Sequence, residues 1–206
     1  MLKTNRFIKS DSFKKAEKIV IVLHGYGTSG DDFAKVGKVF LSKKLDNTVF
    51  LFPDAPENCA AGFGKQWFKL DKMDYEELRS GLDKAAPLLH NYIESNSKEY
   101  NCDNINLIGF SQGAIMALEM IYYPGIKKII AYSGLFAISK NKNIASNPDI
   151  LIIHSDDDEV VPYNNAKVAQ ENLTALGTNS KLKTCHNIGH SISLEGWTWG
   201  IEFLKN

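Results

Sequence analysis

The chain has 206 residues, 44% hydrophobic, 11% aromatic and 23% charged, a composition that excludes disorder, collagen and coiled coil and suits one globular domain over residues 1–206. Lys plus Arg equals Asp plus Glu at 24 each, so no positive field exists to hold a phosphate backbone, and nucleic acid is not expected as a partner. The longest apolar runs are about a quarter of the roughly 20 residues that span a bilayer, so no transmembrane segment is expected.

Residues 1–18 carry Lys3, Arg6, Lys9, Lys14, Lys15 and Lys18 without an apolar stretch of signal-peptide length. Export is not indicated, and a cytoplasmic protein is expected. Short apolar runs then alternate with stretches of helical period, the pattern of an α/β protein with a mostly parallel sheet and helices on both faces. Strands are predicted at Lys18–His24, Thr48–Phe52, Asn104–Phe110, Lys128–Tyr132 and Asp149–His154, mostly continuous Val, Ile and Leu as strands buried on both faces require. Lys181–His186 alternates and reads as an edge. Helices are predicted around Tyr75–Tyr92, where Pro87 should kink or split the helix, around Ala114–Ile121, around Ala166–Leu176 and around Leu194–Leu204. Ala55–Asp71 fits neither period and carries Phe63, Trp67 and Phe68, which makes it a candidate cleft wall and those three aromatics candidate substrate-binding residues.

Gly109-Phe110-Ser111-Gln112-Gly113 matches G-x-S-x-G at a strand-to-helix junction. A serine at the tip of a sharp turn needs strained backbone and small neighbours, and its hydroxyl needs a base to take the proton and a third group to orient the base. His190, behind a glycine and ahead of the last helix, is the candidate base. His24 and His154 sit at strand ends, where hydrogen bonds to loop backbone are expected. Asp156, Asp157 and Asp158 follow a buried strand at its carboxyl end, where open α/β sheets place their sites, and the residues alone leave all three as candidates for the orienting acid. Serine, then acid, then histidine is one of three chain orders used for this chemistry. The oxyanion would be met by the backbone N–H of Gln112, at a helix N-terminus, and of Tyr26, in the turn after the first strand. Since only the main chain of Gln112 enters this role, its side chain is expected to tolerate change.

Gly25-Tyr26-Gly27-Thr28-Ser29-Gly30 also spells the dinucleotide pattern G-x-G-x-x-G after a strand, with Asp54 at the end of the next. Against it, Asp31 and Asp32 open the following helix, where a pyrophosphate would sit. A non-catalytic or dinucleotide-binding α/β protein is therefore the alternative of another class. Cys59, Cys102 and Cys185 are odd in number and unpaired by motif, and the histidines are scattered singly, so reduced thiols, no metal and no cofactor are expected.

Taken together, Leu23-His24-Gly25-Tyr26-Gly27, Pro53-Asp54-Ala55-Pro56, Trp67-Phe68, the serine motif, Ser133-Gly134, His154 through Pro162 and Gly189-His190 resemble the phospholipase/carboxylesterase family of α/β hydrolases, the branch that includes acyl-protein thioesterases. The resemblance implies a single-domain α/β-hydrolase fold and a serine hydrolase of small-molecule acyl esters or thioesters, with lysophospholipase or acyl-protein thioesterase as the alternative. The family's His-Gly-x-x-Asp pattern, aligned on Val161-Pro162, selects Asp158 as the acid. Ser155 stands where the family usually has glycine, which keeps Asp157 as runner-up. The short connection from Ser133 to Pro148 leaves no room for a lid domain, so an open cleft walled by Phe63, Trp67, Phe68, Leu135 or Phe136 is expected, suited to short or medium acyl chains. Catalysis needs a neutral imidazole, and a free one titrates near about 6.5, so activity should fall on acidification.

Overall fold

The computed structural model describes residues 2, 4–10, 13–41, 44–60, 62–72 and 74–206; Lys3, and Ala61 of the aromatic loop, lie outside them. Its centre is a seven-stranded sheet. Strand β1 (Thr4–Lys9) lies antiparallel on β3 (Thr48–Pro53), and β2 (Lys18–Leu23) pairs parallel with β3. After a short antiparallel hairpin of β4 (Glu57–Asn58) and β5 (Lys65–Gln66), the sheet continues with β6 (Ile105–Phe110), β7 (Ile126–Tyr132), β8 (Asp149–Ser155) and β9 (Asn179–Cys185). The order is β1-β3-β2-β6-β7-β8-β9, all parallel except β1. All six predicted strands are present, with β9 at the edge. The added strand β1 has Asn, Arg and Lys among its six residues, TNRFIK, which hides it from a search for apolar runs.

The continuous apolar strands divide their residues between two cores, as the two-residue strand period requires. Ile19, Ile21, Leu107, Ile129 and Ile152 pack on one face under helices α2 (Tyr75–Tyr100), α3 (Gln112–Glu119) and α4 (Asn164–Ala175). Val20, Val22, Phe50, Ile130 and Ile153 pack on the other under α1 (Gly30–Phe40) and α5 (Leu194–Lys205). Helix α2 runs through Pro87 as one 26-residue element, so the predicted split does not occur. Both Pro87 and Asp83, whose carbonyl loses its helical donor, are on the exposed face, where solvent can take the place of the missing donor.

Two features fix the site's surroundings. The amino groups of Lys18 and Lys128 bond the carbonyls of Leu204 and Phe203, placing cations on the C-terminal end of α5 and seating the helix that follows His190. Beneath α3, buried Glu119 takes Arg79 at 2.7 and 2.9 Å and Lys142 at 2.8 Å, and Arg79 also bonds Ala137 O at 3.0 Å. That network ties α2, α3 and the β7–β8 connection together. Burial lowers and the carboxylates of Glu119 and Asp83 raise the Arg79 pKa, with a net upward result. Residues 133–148 contain no helix or strand.

Candidate active site

The parallel register brings the carboxyl ends of β2, β6, β8 and β9 to one edge of the sheet, and the chemistry-bearing residues stand there. Ser111 lies between β6 and α3 with φ +53° and ψ −119°. For a non-glycine residue this strain costs about 1–3 kcal/mol, held in place by its surroundings. Ser111 N–H continues the sheet by donating to Tyr132 O at 2.9 Å. The flanking glycines are demanded by close approach: a Cβ on Gly113 would stand 2.2 Å from Leu23 O, and one on Gly109 2.2 Å from Gly113 O.

His190 Nδ1 is 2.8 Å from Asp158 Oδ2. The imidazole ring packs 4.9 Å, centroid to centroid, from Phe110, the residue before Ser111. Among the described residues no hydrogen bond joins the Ser111 hydroxyl to His190, although both side chains are partly exposed and accessible. Asp158 is buried, with Oδ1 accepting from Val160 N at 3.0 Å and Val161 N at 2.9 Å. Burial opposes its charge, but the bonds from His190 and those two amides outweigh it and hold the carboxyl below the usual carboxylate range.

The other two aspartates are engaged elsewhere. Asp156 pairs with exposed His186 at 2.6 Å. Asp157 accepts from Ser155 Oγ and from the amides of Ile188 at 3.2 Å and Gly189 at 3.0 Å, so it braces the turn leading into His190. Those bonds, that from Ser155 first, lower its pKa. Ser155 is therefore accommodated as a partner of Asp157.

The turn after β2 lies against the elbow, since a Cβ on Gly25 would be 3.4 Å from that of Ser111. His24, fully buried, donates from Nδ1 to Gly25 O at 2.7 Å and accepts from Ala55 N at 3.0 Å through Nε2. Burial lowers its pKa, and both ring nitrogens are spent on loop backbone. Neither the Tyr26 nor the Gln112 amide is engaged by a backbone acceptor among the described residues.

The Gln112 side chain does more than expected. Its Oε1 accepts from Trp67 N–H at 2.8 Å and its Nε2 donates to Phe68 O at 2.7 Å, all buried. A carboxamide that grips a distant loop at both ends leaves no trace in local sequence. Trp67 and Phe68 are consequently buried, the indole N–H donating to His24 O at 2.9 Å. They touch a cavity of about 460 Å³ that includes neither Ser111 nor His190, while Phe63 is 71% exposed. The structure thus does not bring Phe63, Trp67 or Phe68 to the cavity beside Ser111.

That cavity, about 230 Å³, is lined by Tyr26, Ser111 and Gln112 together with Leu70, Leu78, Ile115, Leu135, Val160 and Val161. Leu135 was expected there; Phe136 instead stacks on Tyr122 at 6.3 Å. The remaining walls come from Leu70 at the end of the 55–71 loop, the start of α2, the buried face of α3 and the segment after Asp158. The dinucleotide reading fails at α1: Asp54 Oδ1 accepts from Gly30 N–H at 2.8 Å and Ser29 caps Asp32 N–H, so carboxylate and hydroxyl occupy the helix end a pyrophosphate would need. Among the described residues no group of three or more His, Cys, Asp or Glu is arranged to hold a metal, and no helix is long and apolar enough to cross a membrane.

A model of the phospholipase/carboxylesterase family matches residues 4–206. The chain belongs to this family. Esterase YpfH of Escherichia coli K12 is 27% identical over 99% of this chain and 89% of its own. Acyl-protein thioesterase 1 of Candida albicans is 30% identical over 93% and 92%. The crystal structure of esterase PE8 superposes with a TM-score of 0.91 at 32% identity, covering 99% of this chain and 98% of that one. The protein is an α/β hydrolase that acts on ester bonds.

Proposed function

We propose that the protein is a cytoplasmic, single-domain serine carboxylesterase of short- to medium-chain acyl esters or thioesters, with Ser111 as nucleophile, His190 as base and Asp158 as the orienting acid. The 2.8 Å contact between His190 Nδ1 and Asp158 Oδ2, beside the strained Ser111 elbow, carries this reading. Asp158 fixes the tautomer that leaves His190 Nε2 able to accept the serine proton, and it stabilises the imidazolium that results. Ser111 Oγ attacks the acyl carbon; the carbonyl oxygen takes the negative charge and is met by the Tyr26 and Gln112 amides. His190 then protonates the departing alcohol or thiol, and water repeats the sequence to free the acid. The serine–histidine hydrogen bond, not formed between the two free side chains, is to form as the acyl group enters, since catalytic contacts are often long or misaligned until substrate binds.

The cavity beside Ser111 supports the acyl preference. At about 230 Å³ it lies below the roughly 300–1,000 Å³ of sites for drug-sized ligands. Its six aliphatic walls and lack of any charged residue fit a short hydrocarbon tail. A thioester substrate is favoured as a second reading by the similarity to the Candida thioesterase and by the lidless 133–148 connection, which leaves space for a bulky leaving group. The buried, unpaired cysteines fit a reducing compartment. The test is a matched series of p-nitrophenyl esters and acyl thioesters of increasing chain length, with Ser111→Ala as blank. Turnover is expected to be greatest for short and medium chains; activity confined to very long chains at a lipid interface would overturn the proposal.

A further inference from the structure

Asp158 Oδ2 faces two imidazoles. His190 Nδ1 is 2.8 Å away, and His154 Nε2, from the end of β8, is 3.2 Å away. His154 Nε2 is also 2.8 Å from Val161 O, and Val161 N–H is one of the two amides on Asp158 Oδ1. A carbonyl can only accept, so His154 carries its hydrogen on Nε2, and that N–H sits between the Val161 carbonyl and the carboxylate.

We infer that His154 is a positioning residue for the esterase reaction: a permanently neutral imidazole that holds the 158–161 turn through Val161 and places the positive end of its N–H beside the carboxylate oxygen used by His190. This rests on the reading of Ser111, His190 and Asp158 as the catalytic set. Three observations support it. His154 is 1% exposed, so charging it would be costly. Its Nδ1 is buried without a hydrogen-bond partner, so a proton there would have no acceptor. Burial, the largest influence, lowers its pKa despite the opposing pull of the Val161 carbonyl and Asp158.

The remaining charged groups on this turn point to other tasks. Asp156 is paired with His186, Asp157 is bonded to the amides of 188 and 189, and Glu159 is exposed. Glu195, in the first turn of α5, is likewise exposed. His154 is the titratable side chain that shares an oxygen with His190.

The consequence has a definite sign. The N–H of His154 draws down the negative potential at Oδ2, which moderates how strongly Asp158 stabilises a protonated His190. Removing that donor leaves the carboxylate more basic, favours the imidazolium and moves the acid limb of kcat/KM to higher pH. The shift expected for His154→Phe is about 0.5–1 pH unit, the scale of removing one N–H dipole that stands 3.2 Å from the carboxylate oxygen. His154→Gln, which can return an N–H donor, should restore the limb to near its wild-type position.

The experiment compares pH profiles of kcat/KM on p-nitrophenyl butyrate for wild type, His154→Phe, His154→Gln and Asp158→Asn. Alongside, imidazole ¹⁵N shifts of the wild-type protein are followed from about pH 5 to 8, where an ordinary histidine titrates. An upward shift in the Phe variant, its reversal in the Gln variant and a wild-type His154 that stays neutral with hydrogen on Nε2 are the expected results. An unmoved limb in a folded His154→Phe overturns the inference. If that variant does not fold, wild-type His154 gaining a proton over this range overturns it, and retention of the Nε2–H form supports it. Full turnover in Asp158→Asn would instead remove the catalytic assignment on which the inference stands.

Discussion

Replacing Gln112 by Met tests the unexpected role of its side chain. Met keeps the length and much of the volume but can neither accept from Trp67 N–H at 2.8 Å nor donate to Phe68 O at 2.7 Å. Each buried backbone group left without a partner costs about 1–3 kcal/mol, giving roughly 2–6 kcal/mol for the pair. Packing of the apolar Met side chain offsets part of this, leaving about 2–4 kcal/mol. For a chain of this size, at about 2–4 °C per kcal/mol, the melting temperature should fall by about 4–16 °C. Urea and thermal unfolding measure the loss, and kcat/KM on p-nitrophenyl butyrate should fall too, because the same residue carries the proposed oxyanion amide at the first turn of α3. Gln112→Glu separates the two bonds: it retains an acceptor for Trp67 N–H but sets an oxygen against Phe68 O, so it should be no more stable than Met. A Met variant within about 0.5 kcal/mol of wild type would refute the clamp, since that is the scale of an inconsequential surface change.

The site and its supports carry four further predictions. Changing Asp156, Asp157 and Asp158 singly to Asn should separate them: Asp158→Asn should lower kcat by about ten-thousandfold, Asp157→Asn by about ten- to hundredfold through loosening of the turn before His190, and Asp156→Asn should leave steady-state rates near wild type. Acidification should lower kcat/KM as His190 is protonated and can no longer accept from Ser111. The stability contributed by Asp158, whose folded pKa is depressed, should be present above the ordinary carboxylate value of about 3.9 and disappear as pH falls through its lower folded value, as read by chemical denaturation across that window. Arg79→Met leaves the Glu119 carboxylate buried with a single cation, Lys142, and should cost about 3–5 kcal/mol in chemical denaturation, with Arg79→Lys recovering part of it.

Much of the fold was legible because a two-side-buried parallel strand has to be apolar along its length, and Ile19–Leu23, Ile105–Ile108 and Ile150–Ile153 meet that demand without ambiguity. Strand β1 and the β4–β5 hairpin were not, since their residues, TNRFIK, EN and KQ, offer no continuous apolar run. At the site, the elbow was readable because close approach admits only glycine at 109 and 113. The acid was not separable by composition among 156, 157 and 158. Their different partners, His186, the 188–189 turn and His190, exist only once β8 and β9 lie side by side. The aromatics of the 55–71 loop misled for a related reason: apolar character marks a residue for burial but does not say in which cavity, and the Gln112 clamp draws Trp67 and Phe68 away from the Ser111 cleft.

The decisive measurement is labelling with a fluorophosphonate followed by peptide mapping of the adduct. Near-stoichiometric modification on Ser111, absent from Ser111→Ala and strongly slowed in His190→Ala, is the expected outcome. An adduct on another residue, or ester hydrolysis undiminished in Ser111→Ala, would contradict the assignment of Ser111 as the nucleophile.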